Sequence, residues 1–280
     1  MFPIRDHNPT NRVAYVTYAL LALNVVVFLG YLELFQDQRA LMRFFADWGM
    51  VPARLSAGEG WHTLITSQFL HGGWLHLGFN LLFLWIFGCN MEDEWGHLPY
   101  LGFYLACGVG AALLQYVASP YSQIPMVGAS GAIAGVLGGY LLMFPKARVD
   151  VLFIFIIFFK IIPLPAWLML GIWFFIQIIG GLASPADAGG VAYWAHAGGF
   201  AVGLVLTLPI WLRRGGTAYW GRNFGHPPHP EARYRVARSD IPRVRRRRKP
   251  GPPGKRDSAG SGPWGGRPTR SIFPKVRRRK

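Results

Sequence analysis

The chain has 280 residues, 52% of them hydrophobic and 15% aromatic, a composition that excludes an ordinary soluble domain. Residues 1–212 carry 8 Lys/Arg and 10 Asp/Glu, whereas residues 213–280 carry 21 and 3, so the net charge of +16 resides in the C-terminal tail. The two cysteines, Cys89 and Cys107, fall in or at the ends of apolar segments and indicate neither a disulfide framework nor a thiolate metal site.

Residues 1–13 read as a short N-terminal segment whose Arg5, Asp6 and Arg12 precede an apolar run too long for a signal-peptide core. Apolar stretches near the ~20 residues needed to cross a bilayer then recur. The first expected span is 14–34, and a connection over 35–75, rich in Trp, Pro and Gly, is expected to be partly helical. The second span is 75–89, ending in the acidic NMEDEWG, and the third is 98–117. The fourth, 127–144, contains MVGASGAIAG. The apolar stretch 151–181 is interrupted by Lys160, Pro163 and Pro165, which places the fifth span at 165–181, with 151–162 entering at the membrane edge. The sixth span, 191–212, runs into Arg213 and Arg214.

The expected architecture is an all-α, multi-pass bundle over 14–212, followed by a basic tail over 213–280. The tail contains RVRRRRKPGPPGKR, cannot bury a core and is expected to be disordered. Its charge suits anionic lipid head groups, and no folded nucleic-acid module accompanies it. The positive-inside rule puts both termini and the 145–148 loop on the cytoplasmic side, and 35–75 and 182–190 on the outer side. A compact core with short termini points to a bacterial inner membrane.

Polar residues inside a membrane are costly and carry a functional hypothesis by default. Ser130 is expected about one turn into the fourth span and His196 about one turn into the sixth, at similar shallow depth. His76 and Asn80, at i and i+4, share one face of the second span. Gly128, Gly131 and Gly135 surround the serine, and Gly199 and Gly203 follow the histidine; such small-residue ridges let two helices approach closely. Taken singly, Ser130 fits a packing residue, an interhelical clasp or a nucleophile, packing being a commoner role for such a serine than catalysis, and His76 with Asn80 reads as an interhelical hydrogen bond. His62, His71 and His76 lack the H-E-x-x-H pattern of a metalloprotease, so no metal is expected. Asp187, in a loop, reads as a solvated residue.

Three segments together resemble the rhomboid family of intramembrane serine proteases: GASGAIAG around Ser130, AHAGGFAVG around His196, and HGGWLHLGFN over 71–80. The resemblance implies a six-span bundle and a Ser130–His196 dyad without cofactor. It also implies oxyanion donors from His76, Asn80 and the Ser130 backbone, and membrane-spanning protein substrates. In the family the fifth span and the following loop, here 182–190, act as gate and cap. Two positions depart from the family pattern. His62 follows Trp61 where an arginine is common, and Ala134 stands where well-known members stack a tyrosine on the histidine. Tyr193 and Trp194 are the nearby aromatics. The rival readings are a non-catalytic, client-binding relative, expected to lack one dyad residue, and a small transporter, expected to show an internal repeat.

Overall fold

A computed structural model describes residues 2–155, 158–184, 190–228 and 230–232. Asp187, most of the expected cap loop and the arginine runs of the tail lie outside the described residues. Strand β1 (Phe2–Asp6) leads into helix α1 (Tyr15–Gly30). Three short helices follow: α2 (Gln38–Trp48), α3 (Pro52–Ser56) and α4 (Thr63–Thr66). Helices α5 (Trp74–Trp95) and α6 (His97–Ala118) form a hairpin that turns on Gly96 alone, at φ +76°, a conformation that suits glycine. Then come α7 (Ser130–Met143), strands β2 (Arg148–Phe155) and β3 (Phe158–Pro165), and helices α8 (Ala166–Ala183), α9 (Tyr193–Arg213) and α10 (Thr217–Asn223).

Helices α5, α6, α8 and α9 are long and apolar enough to cross a membrane, and α1 and α7 are shorter apolar helices. The protein is thus an integral, multi-pass membrane protein. Helix α7 is the centre of the bundle: all its residues except Ser130, Leu141 and Leu142 are buried. A helix that is apolar all round belongs in the interior, and α7 packs against α5, α6 and, most extensively, α9. At 1.5 Å per residue its 14 residues span about 21 Å, well short of a ~30 Å hydrocarbon core.

Several expectations need correction. The fold is mostly helical rather than all-α, because the far end of the bundle, opposite Ser130, carries an antiparallel sheet in the order β1-β2-β3. The run 151–162, expected to enter at the membrane edge, lies in strands β2 and β3 over its described residues. It is dense in Val, Ile and Phe, which favour strand, and Pro163 and Pro165 sit on the edge strand β3, where a missing N–H is tolerated. The chain beyond the last span does not become irregular at 213. Helix α10 buries Tyr219, Trp220 donates from Nε1 to the Leu142 carbonyl, and the Ala232 N–H reaches the His7 carbonyl. Finally, α7 begins at Ser130 rather than 127, so the serine opens its helix instead of lying a turn inside it.

The acidic NMEDEWG stretch is helical and ties the far end together. The buried Glu92 carboxylate accepts from the Val16 and Thr17 N–H groups, at 2.9 and 2.7 Å, capping the positive end of α1. Glu94 pairs with Arg214 at 2.7 Å just after α9. Asp6 reaches between helices, accepting from Asn90 Nδ2 at 2.7 Å and Tyr140 OH at 2.9 Å. Burial pushes its carboxyl from 3.8 up to about 7, against the lowering effect of the Tyr140 hydrogen bond. A carboxyl raised on folding favours the folded state while protonated and loses that contribution as pH rises from about 4 through about 7. Thermal melts in detergent should therefore fall in Tm between pH 5 and 8 for the wild type, and Asp6→Asn should flatten that slope. An equal slope in both would remove Asp6 as its source.

Candidate active site

Ser130 owes its position to the segment before it. Met50 and Met126 form an isolated antiparallel bridge, and the Gly128 N–H donates to the Ser67 carbonyl at 2.9 Å. Gly128 has φ +133°, which L side chains rarely adopt, and a Cβ there would stand 2.8 Å from His76 Nε2. This residue therefore lies outside the helix and sets its start, whereas Gly131 and Gly135 form the expected ridge on α7. Because Ser130 is the first helical residue, its N–H has no acceptor within α7, and the positive end of the helix lies beside its side chain.

His196 is the fourth residue of α9. Gly199 and Gly203 bring that helix against the backbone of α7 at Gly131 and Gly135, which closes the gap between Ser130 and His196. The Ser130 hydroxyl donates to His196 Nε2 at 2.8 Å. The other ring nitrogen, Nδ1, lies 2.8 Å from Gln177 Oε1, and the Trp173 ring sits 5.8 Å from the imidazole at a 32° tilt. Both come from α8. Tyr193 and Trp194 instead lie over Gly180 and Gly181 of α8. The Ala195 N–H donates to Gln115 Oε1 of α6 at 3.2 Å, which fixes the first turn of α9.

His76 is aimed by its own loop. The Gly72 N–H donates to His76 Nδ1 at 3.2 Å, so in the neutral ring Nε2 carries the proton and points toward Gly128 and Ser130. Asn80, one turn along α5, is buried and spends one amide proton on the His76 carbonyl at 3.0 Å, leaving the other. His71 is fully buried beneath this pair, with ring centroids 5.2 Å apart in a T-shaped contact with His76. Burial, reinforced by the charge of His76, pushes His71 down to about 3, so it stays neutral. The Tyr31 hydroxyl accepts from the His71 N–H at 2.6 Å and donates to its carbonyl at 2.9 Å, which locks the loop.

A cavity of about 490 Å³ opens along Ser130, His196, His76 and Asn80. Its lining includes the apolar Phe83, Ile133 and Leu137, and Gly190 and Val191 from the segment before α9. Among the described residues no three His, Cys, Asp or Glu side chains come together as a metal site. The structure thus brings together all four predicted polar residues. It adds Gln177 and Trp173, which are signalled in the sequence only by a glutamine in an apolar helix with a tryptophan one turn before it. His62 lies apart and exposed, with Nε2 3.3 Å from the Asp47 carbonyl.

A family model described as the rhomboid domain matches residues 58–213. The chain is 37% identical to Rhomboid protease GluP of Bacillus subtilis over 125 residues, 45% of this chain and 24% of that protein. It is 31% identical to the mitochondrial Rhomboid protein 1 of Saccharomyces cerevisiae over 211 residues, 71% of this chain and 53% of that one. It is 40% identical to the Putative rhomboid protease YdcA of Bacillus subtilis over 86 residues, 31% of this chain and 42% of the relative. The chain thus spans between about a quarter and a half of the length of these relatives.

Proposed function

The chain belongs to the rhomboid family, and from that premise we infer that it is an intramembrane serine endopeptidase acting through a Ser130–His196 dyad. The observation that carries this reading is the 2.8 Å hydrogen bond from the Ser130 hydroxyl to His196 Nε2 at the wall of a cavity. Retention of both residues disfavours a non-catalytic relative.

In this reading Ser130 Oγ attacks the scissile carbonyl while His196 Nε2 takes its proton. The oxyanion of the tetrahedral intermediate forms beside the Ser130 N–H, His76 Nε2–H and the remaining Asn80 amide proton. Donors of this kind, preorganised in a dry site, contribute roughly 2.7–4 kcal/mol each to transition-state stabilisation. His196 then protonates the leaving amine, and a water entering through the cavity mouth hydrolyses the acyl-enzyme by the same steps in reverse order.

Helices α1, α5, α6, α7, α8 and α9 serve as six spans, with both termini cytoplasmic and the dyad near the outer face. The shortness of α7 supports a nucleophile lying below the membrane surface. Substrates are membrane-spanning proteins whose helix unwinds near that face, entering past α8. The basic tail rests on anionic lipid, and the compact apolar core suits a bacterial plasma membrane.

A fluorophosphonate probe tests the nucleophile without knowledge of the natural substrate. The wild type should be labelled at Ser130 and should cleave a single-span reporter. Ser130→Ala should do neither. Labelling elsewhere, or undiminished cleavage by Ser130→Ala, would end the dyad assignment.

A further inference from the structure

We propose that Gln177 is the positioning residue of the dyad: its side-chain carbonyl holds His196 in the tautomer that leaves Nε2 ready to accept the Ser130 proton. The inference rests on the dyad reading above and adds a third member to it, drawn from α8.

The amide orientation follows from its second partner. Gln177 Nε2 donates to the Trp173 carbonyl at 3.2 Å, and a carbonyl oxygen can only accept. A flipped amide would oppose two oxygens there. Gln177 Oε1 is therefore the atom 2.8 Å from His196 Nδ1. That oxygen also only accepts, so Nδ1 must carry the proton, and in the neutral ring Nε2 then presents its lone pair to the Ser130 hydroxyl. One amide thus sets which nitrogen is the base.

Trp173 supplies the other constraint. Its ring, one turn before Gln177 on the same helix, lies at a 32° tilt over the imidazole and limits rotation of the ring plane. Ala134 supplies no aromatic where the family pattern has one, whereas edge and face of His196 are both met from α8. Gln177 is only 6% exposed in a helix that is otherwise apolar. A buried amide there is costly unless satisfied, and the His196 bond together with the Trp173 carbonyl satisfies it.

Gln177 is a neutral acceptor. Among the described residues the groups facing His196 are His76 of α5, Ser130 of α7, and Trp173 and Gln177 of α8, and none is a carboxylate. A carboxylate at position 177 would accept the same proton and also favour the imidazolium. The acid limb of the rate, where His196 must lose its proton to act as base, would then move to higher pH.

The test compares Gln177→Leu, of similar length without an acceptor, with Gln177→Glu, which keeps one, using reporter cleavage as a function of substrate and pH. Partners that orient a metal-bound histidine are typically worth 10–100-fold, and a neutral partner of a general base is expected on the same scale. Gln177→Leu should lower kcat by roughly that factor with KM unchanged. Gln177→Glu should recover kcat to within a few-fold and shift the acid limb upward. Wild-type kcat in Gln177→Leu, or an unmoved limb in Gln177→Glu, overturns the positioning role. If Gln177→Leu does not fold, the limb in Gln177→Glu decides alone. Failure of the dyad itself appears separately, as cleavage by Ser130→Ala.

Discussion

Ser130→Ala and His196→Ala should each reduce cleavage of a single-span reporter by roughly 10⁴–10⁶-fold, and the double substitution should be no worse than either alone. The reason is that in the proposed mechanism the two side chains perform one act. Without Nε2 at 2.8 Å, the Ser130 hydroxyl keeps its proton and is a poor nucleophile. Without Oγ, the imidazole has no proton to take. Removing the second partner after the first therefore has little left to remove. The donors around Ser130 persist in every variant, so a small residual rate above that of water is expected. Single-turnover measurements with saturating reporter read the effect on the chemical step. Additive losses would show that Ser130 and His196 work independently and would dissolve the dyad.

Much of this arrangement is legible in the sequence, and what is missed has physical causes. The apolar helices announce themselves because a helix set in lipid or at the centre of a bundle must be apolar over its whole length. Ser130 and His196 stand out because each is a polar residue on a glycine ridge. The sheet is hidden because 151–162 is apolar at nearly every position, so it lacks the alternation that distinguishes a strand from a membrane helix. The start of α7 is hidden for a different reason. Val127 is apolar, yet Gly128 at φ +133° cannot continue a helix, and that conformation goes with non-local contacts, the pairing of Met126 with Met50 and the Gly128 N–H on the Ser67 carbonyl. Gln177 is overlooked when attention rests on ionisable groups. A neutral amide in a membrane helix carries the same message, since it too must find a partner. The departure at Ala134 poses the question of what holds His196, and the sequence neighbours Tyr193 and Trp194 do not answer it. The answer lies 19 residues upstream, on a different helix.

Gly199→Ala should be strongly destabilising, although intrinsic propensity points the other way. In an isolated helix, Ala is better than Gly by about 0.8–1.0 kcal/mol. At Gly102 of α6 and Gly171 of α8 a Cβ would meet nothing within 4 Å. Alanine at those positions should leave Tm unchanged or raise it. At Gly199 the Cβ would overlap the carbonyl oxygen of Gly131, and at Gly203 that of Gly135. A backbone oxygen inside a hydrogen-bonded helix cannot swing aside as a flexible side chain can, so α9 must move off α7. Overpacking of this kind usually costs 1–3 kcal/mol, and the rigidity of both partners places Gly199→Ala at or above the upper end. The displacement also acts on chemistry, because Gly131 adjoins Ser130 and Gly199 lies one turn from His196 on α9. A shift of about 1 Å lengthens the 2.8 Å Oγ–Nε2 bond beyond hydrogen-bonding range, and a misplacement of that size can cost about 10²-fold in rate. Thermal melts and kcat measured on Gly199→Ala, with Gly102→Ala and Gly171→Ala as controls, should show both losses in the first variant and neither in the others. A Gly199→Ala protein with wild-type Tm and kcat would mean that the close approach of α7 and α9 does not set the distance between Ser130 and His196.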